Sequence, residues 1–260
     1  MTKASVFGKQ NYTNPETDRV IAESGTKFTA KVFLYMFIAL AITAITTIIG
    51  SVVLSQAFIE GSESAGSLIT GSVITLAVIY IPLIIWIEIS VLRGGKGLVP
   101  AFVIYSIMMG LIIAPVVWIF DITGSLGLVA MAFGITTGTF GIMALISWTT
   151  KKDLSGLAVL GIGFAFGSIM IMLISLIMGL CGLTMAEIML DALASLGFFI
   201  FVLLISFYDF YNIRRIAARG GTSNNLAMVC AFSLYTDFVY IFIRVLIFIA
   251  RIAAMFGRNN

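Results

Sequence analysis

Seven stretches of about 20 residues run almost free of charge through this chain, and no feature narrows its fold more. Their apolar residues are continuous rather than alternating. A run of that length matches the hydrocarbon thickness of a bilayer when coiled as a helix. In lipid every backbone N–H and C=O must be satisfied within the segment, which leaves helices or closed barrels. Barrel strands would read as alternating ten-residue pieces, so the pattern selects helices. Composition agrees. Of 260 residues, 60% are hydrophobic and 10% charged, where a soluble domain carries about 25% charged residues. The expected fold is an all-α integral membrane protein, a bundle of seven helices. Residues 1–30 read as a polar cytoplasmic tail, mostly disordered, whose end forms a short interfacial helix. Residues 31–260 read as a single polytopic membrane domain.

The expected spans are about 32–55, 70–92, 98–119, 126–148, 156–180, 189–213 and 226–250. Pro82 marks a kink in the second and Pro115 a bend in the third. Ala130, Gly134 and Gly138 recur every four residues in the fourth span, and Gly163 and Gly167 in the fifth. Small residues at that spacing are expected to let helices approach closely in lipid. Trp148 ends the fourth span, as expected of an interfacial aromatic. Gly220-Gly221 reads as a helix stop. The first thirty residues have no apolar signal core or small-residue cleavage site, so the first span is expected to serve as the insertion signal.

Charge placement orients the spans. Lys and Arg occupy the N-terminal tail, the turn 93–97, the turn 149–155, the loop 214–225 and the C-terminal end. The intervening loops and the start of the sixth span carry Glu60, Glu63, Asp121, Glu187 and Asp191 and no cation. This is a positive-inside pattern for a multi-pass protein of the cell membrane with a cytoplasmic N-terminus. The seventh segment stands apart. If it crosses, Arg251 and Arg258 end outside; if it is re-entrant, they stay inside. Both readings stand on the sequence. Cys181 and Cys230 fall on opposite sides, against an internal disulfide. With no histidine, nothing resembles a Cys/His metal site, and nothing points to nucleic acid.

Two carboxylates lie deep in apolar runs: Asp209 in the sixth span and Asp237 in the seventh. A carboxylate at membrane depth is costly and marks a functional site by default. If the two segments form an antiparallel hairpin about residues 219–225, the carboxylates lie about 15 and 18 Å from the turn, at nearly one depth. Two carboxylates in one desolvated site do not cheaply both ionise, so such a pair shares one proton. The bland alternative is that each aspartate separately bonds hydroxyls of a neighbouring helix. Cys230, Ser233, Asp237, Tyr240 and Arg244 recur at steps of three and four, so they form one polar stripe that should face the bundle interior. At the end of the second span, Arg93 reads either as a gate-type partner of the aspartates or as a positive-inside anchor. Glu88 reads as an interfacial acid, and Arg244 as a deeper cation that snorkels.

The segments WTTKKDLSGL (148–157), FYDFYNIRRI (207–216) and AFSLYTDFVYIFIRVL (231–246) resemble the Bax inhibitor-1 family, in its bacterial form. The likeness in span number and spacing extends from about residue 28, and the specific motifs lie in the C-terminal half. The resemblance implies seven helices with the last one central and wrapped by the other six. It implies a pH-sensitive calcium leak whose proton sensor is an aspartate pair, here Asp209 and Asp237, with Arg93 as the arginine that pairs with it. The family's second ion pair joins a glutamate of the second helix to an arginine late in the seventh. Here the glutamate position falls near Pro82 and the arginines are Arg244 and Arg251, so Glu88 with Arg244 would need a shifted geometry.

The leading functional expectation is therefore a calcium leak channel gated by protonation of Asp209 and Asp237. Ca²⁺ is the transported ion on a weak carboxylate path; no cofactor is expected. Lipid, Ca²⁺ and protons are the expected partners. The alternative is a non-transporting regulator that binds membrane proteases or cell-death proteins. An intramembrane aspartyl protease also sets two Asp on adjacent helices, and Tyr208-Asp209 matches its first dipeptide. Asp237, however, follows Leu234-Tyr235-Thr236 rather than glycine, and no Pro-Ala-Leu follows it. The expectation is not an enzyme.

Overall fold

The apolar runs are helices from end to end. The computed structural model describes residues 15–59, 78, 82–87, 89–90, 97–150, 152–220 and 223–257. The fold is all-α with seven helices and, among the described residues, no strand. They are α1 (Pro15–Ile59), α2 (helical at 82–87 and 89–90), α3 (Leu98–Ile122), α4 (Leu126–Thr149), α5 (Ser155–Leu180), α6 (Thr184–Ala217) and α7 (Asn224–Gly257). All but α2 contain described stretches long and apolar enough to cross a membrane. Pro115 lies inside an uninterrupted α3. The chain turns between α6 and α7 at Gly220, whose φ of 73° would strain a residue bearing a Cβ.

Helix α7 is central. It packs against α1, α3, α4 and α6, and 56% of its most apolar window lies inside the protein, against 11% in each of α5 and α6. The wrapping is less even than the resemblance implies, because α5 packs mainly on α6. The outer surface is correspondingly greasy: Phe166 and Met172 of α5 are 65% and 63% exposed. Helix α7 also has no break. Its 34 residues rise about 50 Å, more than the roughly 30 Å hydrocarbon core. A re-entrant segment must turn back within the bilayer, and α7 does not turn.

The N-terminal region departs from expectation. Residues 15–31 are not an irregular tail, because α1 begins at Pro15 and continues without interruption into the first span. This extension is docked. Phe28 is buried, Gly25 lies directly on the backbone of Ala217, and Lys31 Nζ donates to Asn224 Oδ1 at 2.7 Å. The helix continues because its face finds the α6–α7 turn to pack on, a surface that only the tertiary fold creates.

Close helix approach occurs where it was not expected. Thr43 Oγ1 lies 3.0 Å from the Ser106 carbonyl oxygen, and Thr47 Oγ1 donates to the Gly110 carbonyl at 3.0 Å. A Cβ at Gly110 would overlap the Thr46 hydroxyl and come within 2.7 Å of the Thr43 carbonyl oxygen. By contrast, no atom would lie within 4 Å of a Cβ at Gly134, Gly138, Gly163 or Gly167. Among the described residues, these four glycines therefore do not sit at close helix crossings. Spacing marks a face, and its partner decides whether that face is used. Gly110→Val is expected to lower stability by about 1–3 kcal/mol through overpacking, whereas Gly138→Ala is expected to change it by less than about 0.5 kcal/mol. Thermal unfolding of both variants in one detergent checks the contrast.

Candidate functional site

Asp209 and Asp237 lie at the α6–α7 contact, each held by a serine of the opposite helix. Ser206 Oγ on α6 donates to Asp237 Oδ2 on α7 at 2.8 Å. Ser233 Oγ on α7 donates to Asp209 Oδ2 on α6. The helices run antiparallel, so Ser206 stands opposite Asp237 and Asp209 opposite Ser233. The two aspartates are thus offset by about one helical turn, roughly 5 Å along the axis, as the near-equal depth in the sequence anticipates. No direct hydrogen bond joins the two carboxyl groups among the described residues. Each acid takes a hydroxyl from the neighbouring helix, as the second of the two sequence readings has it.

Asp237 is 8% exposed, Asp209 is less deeply buried, and Ser206 is fully buried. Ser206 Oγ also lies 2.7 Å from the Val202 carbonyl oxygen. A hydroxyl has one proton, so that carbonyl and the Asp237 carboxylate compete for it. Ser206 went unnoticed in the sequence. It stands three residues before Asp209, on the same helical face, and the antiparallel register with α7 was the signal that could have found it.

The polar stripe of α7 is turned inward, and specifically toward α6. Besides the two serine–aspartate bonds, Tyr240 packs on Phe198 with ring centroids 5.2 Å apart. Arg244 Nη1 donates to Ser195 Oγ, and its Nε to Tyr240 Oη at 2.9 Å. Arg244 is thus partly buried against α6, and among the described residues it has no ion-pair partner. Glu88 and Arg93 lie outside the described residues. Nor does either aspartate have an ion-pair partner among those described.

Arg214 proved more important than its place in a basic loop suggested. Its Nη1 donates to the carbonyls of Ser147, Trp148 and Thr150, at 2.7, 3.0 and 2.7 Å. These are groups at the C-terminal end of α4, where carbonyls have no helical donor and a cation is favoured. Asp153, in the turn that follows, accepts from the Ser155 amide and hydroxyl at 2.9 and 2.6 Å. Those bonds hold its carboxyl below the ordinary aspartate range. The basic WTTKKDLSGL segment is therefore a built turn, pinned by Arg214 from α6.

Among the described residues there is no group of three or more His, Cys, Asp and Glu side chains able to hold an ion. Two carboxylates and two hydroxyls fall short of the six to eight oxygens that Ca²⁺ takes in a dedicated site.

A bundle of membrane-spanning helices around a buried C-terminal helix, with a carboxylate pair at its α6 contact, defines a class of polytopic membrane protein. The chain belongs to the Bax inhibitor-1 family: the family profile described as "Inhibitor of apoptosis-promoting Bax1" matches residues 25–254. It is 26% identical to the inner membrane protein YbhL of Escherichia coli K12 over 186 residues, 66% of this chain and 71% of that protein. An uncharacterized protein of Borreliella burgdorferi is 28% identical over 232 residues, 86% and 92% of the two chains. One of Deinococcus radiodurans is 30% identical over 145 residues, covering 55% of this chain and 58% of the relative.

Removing Ser206 leaves a buried carboxylate oxygen without its donor. Ser206→Ala is expected to cost about 1–3 kcal/mol. In a double-mutant cycle with Asp237→Asn the coupling should exceed about 0.5 kcal/mol, with Ser206 and Asp209 less coupled. A cycle that closes additively for Ser206 and Asp237 would contradict the crossed arrangement.

Proposed function

We propose that the protein is a pH-sensitive calcium leak channel in which Asp209 and Asp237 act together as proton sensor and gate. The observation that carries this reading is the crossed bonding of two carboxylates within one turn of each other, at the contact between the central helix and α6. Protonation changes what each carboxyl can accept or donate. A change of charge state at this contact alters the α6–α7 packing directly, because the serines and acids that join the helices are the same groups that titrate. Ca²⁺ passes as the transported ion on a weak carboxylate path, since too few oxygens are present for storage. Arg93 is the proposed cationic partner of the pair.

A second reading is a non-transporting membrane regulator acting through membrane-protein partners. The family's description as an inhibitor of Bax1 favours it. Ion flux separates the two. Liposomes holding the purified full chain are expected to leak Ca²⁺ with a pH dependence near neutrality. Asp209→Asn and Asp237→Asn are each expected to shift or flatten that profile. No flux above empty liposomes would favour the regulator, and an unchanged profile in both variants would sink the gating claim.

On the positive-inside charge pattern, the proposed orientation has the N-terminus and the Arg214-bearing end of α6 in the cytoplasm and the 181–183 turn outside. Cys181 is exposed and Cys230 buried. A membrane-impermeant maleimide applied to intact cells is expected to label Cys181, with Cys181→Ser abolishing the signal. Labelling only after lysis would reverse the orientation.

A further inference from the structure

At the end of the bundle that carries the 181–183 turn, α5, α6 and α7 enclose a cleft of about 290 Å³. Its polar wall includes Arg244 and Tyr240 of α7 with Asp191 and Ser195 of α6, and its apolar wall includes Ile169 and Met172 of α5. Arg244 lies 20 residues beyond Asn224, the first residue of α7, a rise of about 30 Å. That equals the thickness of the hydrocarbon core.

Arg244 is firmly placed but not used up. Its bonds to Ser195 and Tyr240 take two of the five N–H donors of a guanidinium. The group also sits 5.2 Å from the centroid of the Tyr240 ring, which fixes its plane. Asp191, exposed on the same cleft, is not within ion-pair distance of Arg244. Opposite charges thus line one small cleft without touching. Ser168, the other hydroxyl there, already donates to the Phe164 carbonyl at 2.7 Å. The arrangement suits one molecule carrying both an anion and a cation, with the anion on the planar donors of Arg244 and the cation at Asp191.

The apolar wall says where that molecule comes from. Ile169 and Met172 are 46% and 63% exposed on the outer surface of α5, so the cleft opens toward lipid. We propose that it binds the headgroup of a phospholipid bearing a phosphodiester and a primary ammonium, of the phosphatidylethanolamine type. The phosphate sits on Arg244, the ammonium on Asp191, and an acyl chain runs along Ile169 and Met172. A quaternary ammonium offers Asp191 no N–H donor, and a glycerol headgroup offers it no cation.

The test is native mass spectrometry of the purified full chain with equimolar phosphatidylethanolamine, phosphatidylcholine and phosphatidylglycerol. The ethanolamine lipid is expected to be bound about tenfold over the other two, the effect of one charge-assisted hydrogen bond. Arg244→Gln should bring all three to background. Asp191→Asn should remove the preference for the ethanolamine headgroup while phosphate-dependent binding persists. Equal binding of the three lipids by the wild type, or a preference that survives Asp191→Asn, overturns the proposal. Should Arg244→Gln fail to fold, Asp191→Asn decides alone, because its side chain is exposed. Displacement of the lipid by millimolar free phosphoethanolamine would also overturn it, by assigning the cleft to a soluble headgroup.

Discussion

The structure depends on the contact between α6 and α7, where polar side chains of the central helix are satisfied by the helix beside it. Between helices in lipid there is no hydrophobic driving force, because the tails are as apolar as leucine. Packing and interhelical hydrogen bonds must hold the bundle, each such bond contributing about 0.6–2 kcal/mol. Along α7 these bonds come in succession: Ser233 to Asp209, Ser206 to Asp237, Arg244 to Ser195. On the other side of α7, Tyr235 Oη lies 2.6 Å from the Thr43 hydroxyl of α1. The central helix is thus tied to two neighbours by side chains that could not tolerate exposure to hydrocarbon.

That constraint also ties the proposed function to the architecture. A carboxylate pair placed elsewhere could titrate without consequence. Here the acids are part of the joint that holds the central helix, so a change of charge bears directly on packing. The basic end of α6 is fastened separately. Arg214 holds the end of α4, and Gly25 lets α1 lie on Ala217. The hairpin is anchored at its turn and joined by titratable groups in its middle.

Much of this was legible from residue order. Six of the expected spans match observed helices to within a few residues at most ends, because uninterrupted apolar runs admit little else. The depth of Asp209 and Asp237 followed from counting residues on either side of a turn. The inward stripe on α7 followed from helical periodicity. The N-terminal tail was misread for a related reason: its composition is polar, and its helical extension from Pro15 rests on a docking surface formed by residues 192 and 193 positions away. Gly134 and Gly138 misled similarly, since their spacing marks a small-residue face with none of the described residues close against it.

By itself the sequence determined that this is a helical membrane protein with two acids at one depth in a C-terminal hairpin. Apolar length and the cost of burying charge are properties of the chain alone. Tertiary structure decided which hydroxyl meets which carboxylate, that the stripe faces α6, that Arg214 binds the end of α4, and that Gly110 rather than Gly138 sits at a close crossing. Those depend on how helices distant in sequence are rotated and aligned against one another, and periodicity within a single helix carries no information about its neighbour.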